Sequence, residues 1–335
     1  MKKAKLAATI VAVAALATAF GACSSSGGGA TGAPADDASA WPKNCGTIQI
    51  YLATSAGGAS DLTYRAMSDE LSQELGVKVE VVNAPGGGGS TALNKTKNAK
   101  ADGCTMDNPT IADSLAYLIE GSAADWTKED FKLVGAFAKG PQVLVVNAES
   151  PYQTLDDLIK AGQDEGRLLA AADMPNGGDA VINALLAKAA GVKVSQVIVD
   201  GSPEKVQAVL SNQVQFECGA FAGVRAGIEN KQLRALAVWT DERLPFLPDV
   251  PTGKEQGVDV VVATELGLAF VPEVDDAIRQ KMEDALKAVT EKPAFQEKAD
   301  TIGTLVSFQT GAEFSKSWDD RAAIIESIDF STLAQ

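Results

Sequence analysis

The chain has 335 residues, is 46% hydrophobic, carries a formal charge of −15 and contains no histidine. The missing imidazole excludes Ser-His-Asp and Cys-His nucleophile systems, histidine metal ligands and histidine proton shuttles. The acid excess argues against a nucleic-acid partner, whose phosphates need a basic face, and the length suggests two domains.

The chain opens with Lys2, Lys3 and Lys5, then an apolar stretch from Leu6 to Phe20, then Gly21, Ala22 and Cys23. A basic head, a short apolar centre and small residues before a cut form the secretory pattern. The run is shorter than the roughly 20 residues that span a bilayer. Ala19-Phe20-Gly21-Ala22-Cys23 resembles the bacterial lipobox, which implies a signal over 1–22 and lipidation of Cys23. That lipid carries more than one acyl chain, and two chains anchor firmly where one is marginal. Residues 23–40 are expected to be a flexible linker, because their Ser, Gly, Ala, Thr, Pro and Asp cannot bury enough apolar surface to offset ordering. Folded structure is expected from about Trp41. Removing 1–22 takes away three lysines and no acid, so 26 basic residues face 44 acidic ones and the charge moves to −18.

The body alternates strand-like and helix-like segments. Short runs rich in Val, Ile, Leu and Ala, bounded by Gly, Pro, Asn or Asp, predict strands at 48–53, 77–82, 143–147, 168–172, 194–199, 214–218 and 234–239. Helices are predicted at 60–75, 89–100, 154–165, 178–190, 203–211 and 273–290. Leu62, Ala66, Leu71 and Leu75 have helical spacing and Gly76 stops that helix. Leu155, Leu158 and Ile159 repeat the spacing in a helix that Thr154 is placed to cap. Such alternation implies an α/β fold with parallel sheets covered by helices. Changes of character at Lys139-Gly140-Pro141 and over Glu265–Pro272 suggest two crossings between lobes. One lobe is then expected to comprise 41–140 and 265–335, the other 141–264. Trp126, Trp239 and Trp318 are expected in cores or on lobe surfaces.

Export implies an oxidising setting in which a cysteine pair is bridged. Cys45 precedes the first strand, and Cys104 precedes a short extended piece after Ala101-Asp102-Gly103. First and third strands are commonly neighbours in open α/β sheets, so a Cys45–Cys104 disulfide is predicted. Cys218, in a strand pattern, is expected as a buried free thiol.

Three loops share one design. The first holds Thr54, Ser55, Ala56, Gly57, Gly58, Ala59, Ser60 and Asp61. The second runs from Asn83 and Ala84 through Pro85, Gly86, Gly87, Gly88 and Gly89 to Ser90 and Thr91. The third runs from Asp173 through Met174, Pro175, Asn176, Gly177 and Gly178 to Asp179. Each follows a strand and precedes a helix. Glycine lets backbone approach a ligand, and a helix N-terminus offers free N–H groups and partial positive charge. A carboxylate or phosphate suits such a place, and all three loops lie beyond the carboxyl ends of strands, where α/β sheets bind ligands. The Walker lysine and the spaced third glycine of nucleotide loops are absent.

Gly57-Gly58-Ala59-Ser60-Asp61, the stretch Val81 to Gly89, and Ala101-Asp102-Gly103-Cys104-Thr105 form an ordered set. It continues through Leu233 to Val238, Arg243, Leu247 to Thr252, Glu255 and Gly257. This set resembles the substrate-binding proteins of tripartite tricarboxylate transporters, the Bug-type receptors, from about Thr47 to Gly303. The resemblance implies a two-lobed periplasmic-binding-protein fold (type II) with a hinge of two crossings, each lobe a mostly parallel sheet flanked by helices. It implies a small carboxylated solute held by backbone N–H groups and hydroxyls of these loops, often through waters, without an arginine clamp. It implies integral-membrane transporter subunits as partners, a monomer, membrane contact through the lipid alone, and no catalytic residue, metal or cofactor. Thr110 and Asp113, after Pro109, are expected to face the cleft, although a first-turn acid is also favoured there by the helix dipole.

The chain departs from the family around the third loop. Asp173, Gly178, Asp179 and Ala180 align where a hydroxyl and a histidine are usual, and Val199-Asp200-Gly201 stands for Tyr-Lys-Gly. Acids beside a bound carboxylate repel it, so either they point outward or the ligand is not a simple polyanion. Two competing functions are a sensor lipoprotein feeding a signalling system and a carboxylate-based enzyme using Asp61 with Asp113.

Overall fold

Ile48, Ile50 and Leu52 are fully buried and alternate with half-buried neighbours, the period-two pattern of a strand with one face on a core. In the computed structural model they form β1 (Thr47–Leu52). The structure describes residues 39–86, 90–109, 126–172, 178–199, 201–328 and 333. Cys23 and the linker before Ser39 therefore lie outside the described residues, as do Gly87, Gly88, Gly89, Thr110, Asp113, Asp173, Asn176, Gly177 and Asp200.

The strands after β1 are β2 (Lys78–Asn83), β3 (Thr105–Asp107), β4 (Lys132–Asn147), β5 (Leu168–Ala172) and β6 (Val194–Ile198). They continue with β7 (Phe216–Ala220), β8 (Leu233–Val238), β9 (Ala263–Phe270) and β10 (Leu305–Thr310). The described helices are α1 (Ala59–Leu75), α2 (Ser90–Lys97), α3 (Leu155–Glu165), α4 (Gly178–Ala190) and α5 (Ser202–Leu210). Then come α6 (Phe221–Glu229), α7 (Asp276–Thr290), α8 (Pro293–Ile302) and α9 (Gly311–Glu326). None is long and apolar enough to cross a membrane.

The strand order is β2-β1-β3-β9-β4-β7-β5-β6, with β8 and β10 also on β4. Two parallel blocks, β2-β1-β3 and β6-β5-β7, are joined by antiparallel pairings through β4 and β9. The α/β fold is as expected. The antiparallel centre is what strand–helix alternation does not foresee.

β4 carries the connection. Lys132 to Pro141 pair with β9, and Gln142 to Asn147 pair with β7 and β8. The predicted strand began at 143 because Pro141 lacks an N–H and glycine precedes it. The strand instead passes through Gly140-Pro141, since the missing donor falls where the ladder changes partners and disrupts neither side. Gly135 lies where β10 crosses β4, and a Cβ there would stand 2.5 Å from the Gln309 carbonyl oxygen.

Helix ends follow the sequence signals. Gly76 caps α1 in the left-handed conformation at φ 66°. Thr154 caps α3 in a reciprocal capping box with Asp157, and Thr310 with Glu313 does the same for α9.

The parallel block around β1 packs α1, α7 and α8 through Tyr64, Met67, Leu71, Ile278, Leu286 and Phe295. On one face of the other block, Leu158, Ile182, Leu186, Phe216 and Trp239 form a second core. A further cluster joins Val181 of α4 to Leu93, Trp126, Phe314 and Trp318, so α9 packs against elements of both blocks. Trp126, Trp239 and Trp318 are all buried, as expected. Trp41, also buried, donates its indole N–H to the Gly103 carbonyl. The parallel β1–β3 pairing brings Cys45 and Cys104 to a Cα separation of 5.2 Å, and they are disulfide-bonded. Cys218 is free and buried. Burial and the carboxylates of Asp179 and Glu217 raise its pKa, outweighing the Trp239 N–H bond to its sulfur and the nearby Lys205 charge. The thiol is therefore held protonated and unreactive.

Candidate functional site

The first loop is tied down by one carboxylate. Asp61, in the first turn of α1, is 2% exposed. It accepts the Gly57 backbone N–H at 2.9 Å, the Asn83 amide at 2.9 Å and the Arg65 Nε at 3.0 Å. The same Asn83 amide donates to the Thr54 carbonyl at 3.0 Å, and Arg65 donates to the Asn83 side-chain oxygen at 2.7 Å. The end of β2 is thus stapled to the loop after β1. Burial by itself would raise the Asp61 pKa, but the bonds from Arg65, Gly57 and Asn83 outweigh it and hold the carboxyl below its ordinary range. Asp61 is scaffold, with its charge consumed inside the loop. A carboxyl held ionised this firmly is poorly matched to general acid work near neutral pH.

What this scaffold presents is backbone. Ser55, Ala56, Gly57 and Gly58 are exposed. Gly58 is the N-cap of α1 and no side chain caps that helix, so its terminal donors are not consumed by a cap. Gly57 has φ 86° and needs to be glycine, whereas Gly58 is extended with room for a Cβ, its nearest neighbour being 3.8 Å away. Across from it, Ala84 N–H bonds the Leu52 carbonyl, and Pro85 and Gly86 are exposed at the start of the second loop.

The third loop enters through Gly178 and Asp179, the first residues of α4. Asp179 neither points outward nor repels a guest with a free charge. It is buried, and Lys205 of α5, itself 4% exposed, reaches its carboxylate at 2.8 Å. Glu217 of β7, also buried, lies close enough to act on the same Cys218 thiol.

At the carboxyl end of β3, Asp107 is fully buried. Burial pushes its carboxyl up to about 7, opposed only by the Asn108 backbone N–H. Asn108 in turn accepts the Ala53 N–H at 3.2 Å.

The structure therefore brings Thr54 to Gly58, Asp61, Pro85 and Gly86 to one edge, and places Gly178 and Asp179 at the head of α4. Sequence reasoning missed Arg65, Lys205, Asp107 and Asn108, and named Asn83 only as the start of the second loop. Asn83 stood inside a quoted motif at a strand end, and Arg65 lies one helical turn after Asp61, so both carried a signal. Lys205 and Asp107 carried none, because their partners are distant in sequence or absent. Among the described residues no group of acids and cysteines is arranged to hold a metal ion.

Residues 63–325 match the model of the tripartite tricarboxylate transporter family receptor. The chain is 29% identical over 287 residues to a UPF0065 protein in the gbd 5′ region of Cupriavidus necator, covering 84% of this chain and 87% of that protein. Its fold is similar to MatC from Rhodopseudomonas palustris with bound malate, with TM-score 0.73, 20% identity and coverage of 84% of this chain and 97% of that one. It is also similar to an R. palustris protein with adipate, with TM-score 0.74, 21% identity and coverage of 86% and 99%. A family model matched over most of the chain, on the fold its relatives share, makes this chain a member of the tripartite tricarboxylate transporter receptor family.

Proposed function

We propose that the protein is an extracytoplasmic receptor that captures a small carboxylate-bearing solute and delivers it to the membrane subunits of a tripartite tricarboxylate-type transporter. The observation that carries this reading is the Asp61–Asn83–Arg65 staple. It holds the first loop rigid while consuming its own charge, and leaves exposed backbone at an uncapped helix start. A carboxylate fits such a place by hydrogen bonding and by the helix dipole. The malate and adipate held by fold neighbours support the solute class, and the Lys205 counter-charge removes the repulsion that Asp179 would otherwise exert.

In this reading 41–140 with 265–335 and 141–264 are two lobes. β4 and β9 are the crossings about which they close, a hinge motion of a few element-terminal residues. Cys23 anchors the chain by lipid outside the cell membrane, and the protein is a monomeric binder that catalyses nothing. The test is melting of the purified protein against malate, succinate, adipate and citrate. A solute at 100 times its dissociation constant stabilises by about 2.7 kcal/mol, which raises Tm by about 4 °C for a chain of this size. A panel that leaves Tm unmoved at millimolar concentration contradicts the reading.

A further inference from the structure

Buried polar side-chain atoms almost always have hydrogen-bond partners, and exceptions call for an explanation. Three exceptions stand together at the carboxyl ends of β1 and β3. Asp107 Oδ2, Asn108 Nδ2 and Thr54 Oγ1 are all closed off from solvent and unbonded. Their placement follows from the backbone. Tyr51 and Asp107 are partners in the parallel β1–β3 register, and the Ala53 N–H donates to Asn108 Oδ1. That bond occupies the oxygen end of the amide and leaves Nδ2 without a partner. The Asp107 carboxyl uses Oδ1 to accept the Asn108 N–H at 2.7 Å and leaves Oδ2 free. Thr54 follows the end of β1 and Asn108 the end of β3, the sheet edge where α/β folds bind ligands.

Taking the carboxylate-receptor reading above as given, we propose that Thr54, Asp107 and Asn108 form the hydrogen-bonding floor of the solute site. Asp107 enters it as a neutral carboxylic acid, so that capture of each carboxylate solute above neutral pH takes up one proton. A hydroxyl, an amide NH2 and a protonated carboxyl are three donors, which match an oxygen-rich anion and an ether or hydroxyl acceptor but not an ammonium group. An ionised Asp107 would set an unpaired buried charge against the incoming carboxylate. The neutral form donates from Oδ2 while Oδ1 keeps its Asn108 bond.

The charged and titratable groups of the elements packed against β3 do not neutralise Asp107. On β1, Tyr51 bonds Gln49, and on β9 the register partner is the uncharged Ala269. On α2, Lys95 sits over the Tyr51 ring and Lys97 pairs with Asp130. On α1, Asp61 and Arg65 pair with each other. Only burial and the Asn108 N–H act on the Asp107 carboxyl, which places its titration at about 7. A raised pKa means that the neutral form prevails below about 7 and is lost as pH rises through it, so solute affinity falls in the same direction.

Calorimetric titration of malate, succinate, adipate and citrate at pH 7, 8 and 9 tests this in the wild-type protein and in Asp107→Asn. The wild-type dissociation constant is expected to rise about fifty-fold from pH 7 to 9, approaching tenfold per unit once the acid is mostly ionised. Heats in buffers of different ionisation enthalpy should report close to one proton taken up at pH 9. Asp107→Asn keeps a donor at that position and should bind with no such slope and no proton uptake. A wild-type affinity unchanged over this range, or a slope retained in Asp107→Asn, overturns the inference and leaves the receptor reading standing. Binding of none of the four at any of these pH values removes both. A solute-free arm stands independently: the 13C signal of the Asp107 carboxyl, assigned by its loss in Asp107→Asn, should titrate near neutral pH, and titration below pH 5 overturns the inference.

Discussion

Replacing Lys205 by Met is expected to destabilise the protein by about 3–5 kcal/mol, the cost of leaving a buried charge without its partner. The Lys205 ammonium lies 2.8 Å from the Asp179 carboxylate, and the two side chains are 5% and 10% exposed. Glu217 is buried on the adjoining β7 and adds negative charge to the same region. Removing the lysine therefore deprives an acidic neighbourhood of its cation, whereas the apolar stem of Met still fills the space. Urea unfolding of Lys205→Met, Asp179→Leu and the double variant measures the coupling. The double variant should be more stable than Lys205→Met alone, because it no longer buries the Asp179 carboxylate without the Lys205 ammonium. A cost below about 1 kcal/mol for Lys205→Met would show that the pair is not compensating a buried charge. The same variant should weaken carboxylate capture, since Asp179 at the start of α4 would then present its charge to the third loop.

The second large effect is expected at the opposite end of the strands. The Cys45–Cys104 bridge spans 59 residues of sequence, and the chain-entropy model assigns about 4 kcal/mol to a loop of that length. Cys45→Ser/Cys104→Ser should unfold at correspondingly lower urea concentration, and reductant should do the same to the wild type while leaving the double variant unaffected. The bridge joins the starts of β1 and β3, whereas the candidate site lies at their carboxyl ends. Solute affinity of the folded double variant should therefore equal that of the wild type. A stability loss under about 1 kcal/mol would contradict the chain-entropy account of this bridge.

Much of the fold is legible in the sequence because local signals agree with global packing. The strand at 168–172 and the helix at 178–190 match the structure residue for residue, since glycines and polar turns bound clean apolar runs. β10 and α6 escaped. Every residue of β10 is only half-buried, so it shows no alternation, and α6 contains Gly223 and Gly227, which lower helical propensity. α6 is held instead by packing of Phe221 and Val224 onto the sheet. The first half of β4 was hidden by Gly135, Gly140 and Pro141, which read as a break and are tolerated only because β9 and β10 pair around them.

The site was legible as loops and illegible as chemistry. Glycines and turn residues announce where backbone is free to meet a ligand. What each acid does there depends on partners that sequence spacing does not reveal. Asp61, placed in the first ligand loop as a helix-start acid that binds loop amides, does bind the Gly57 N–H and also spends its carboxylate on Asn83 and Arg65. Asp179, expected either to point outward or to signal a ligand that is not a simple polyanion, is instead buried and paired across helices with Lys205. Asp107, read only as part of a short extended piece, is the buried acid with an unbonded oxygen.

A carboxylate held against the backbone of the first loop would sit beside Gly58. A side chain there meets no close neighbour and requires no left-handed backbone, so Gly58→Val should fold as the wild type does while standing over the start of α1. Calorimetric titration of malate, succinate, adipate and citrate into both proteins at pH 7 is the measurement. One-to-one binding of at least one of them to the wild type is expected, with a loss of at least about a hundredfold, roughly 2.7 kcal/mol, in Gly58→Val and unchanged melting. Equal binding by the two proteins, or binding of none of the four by the wild type, would contradict this expectation.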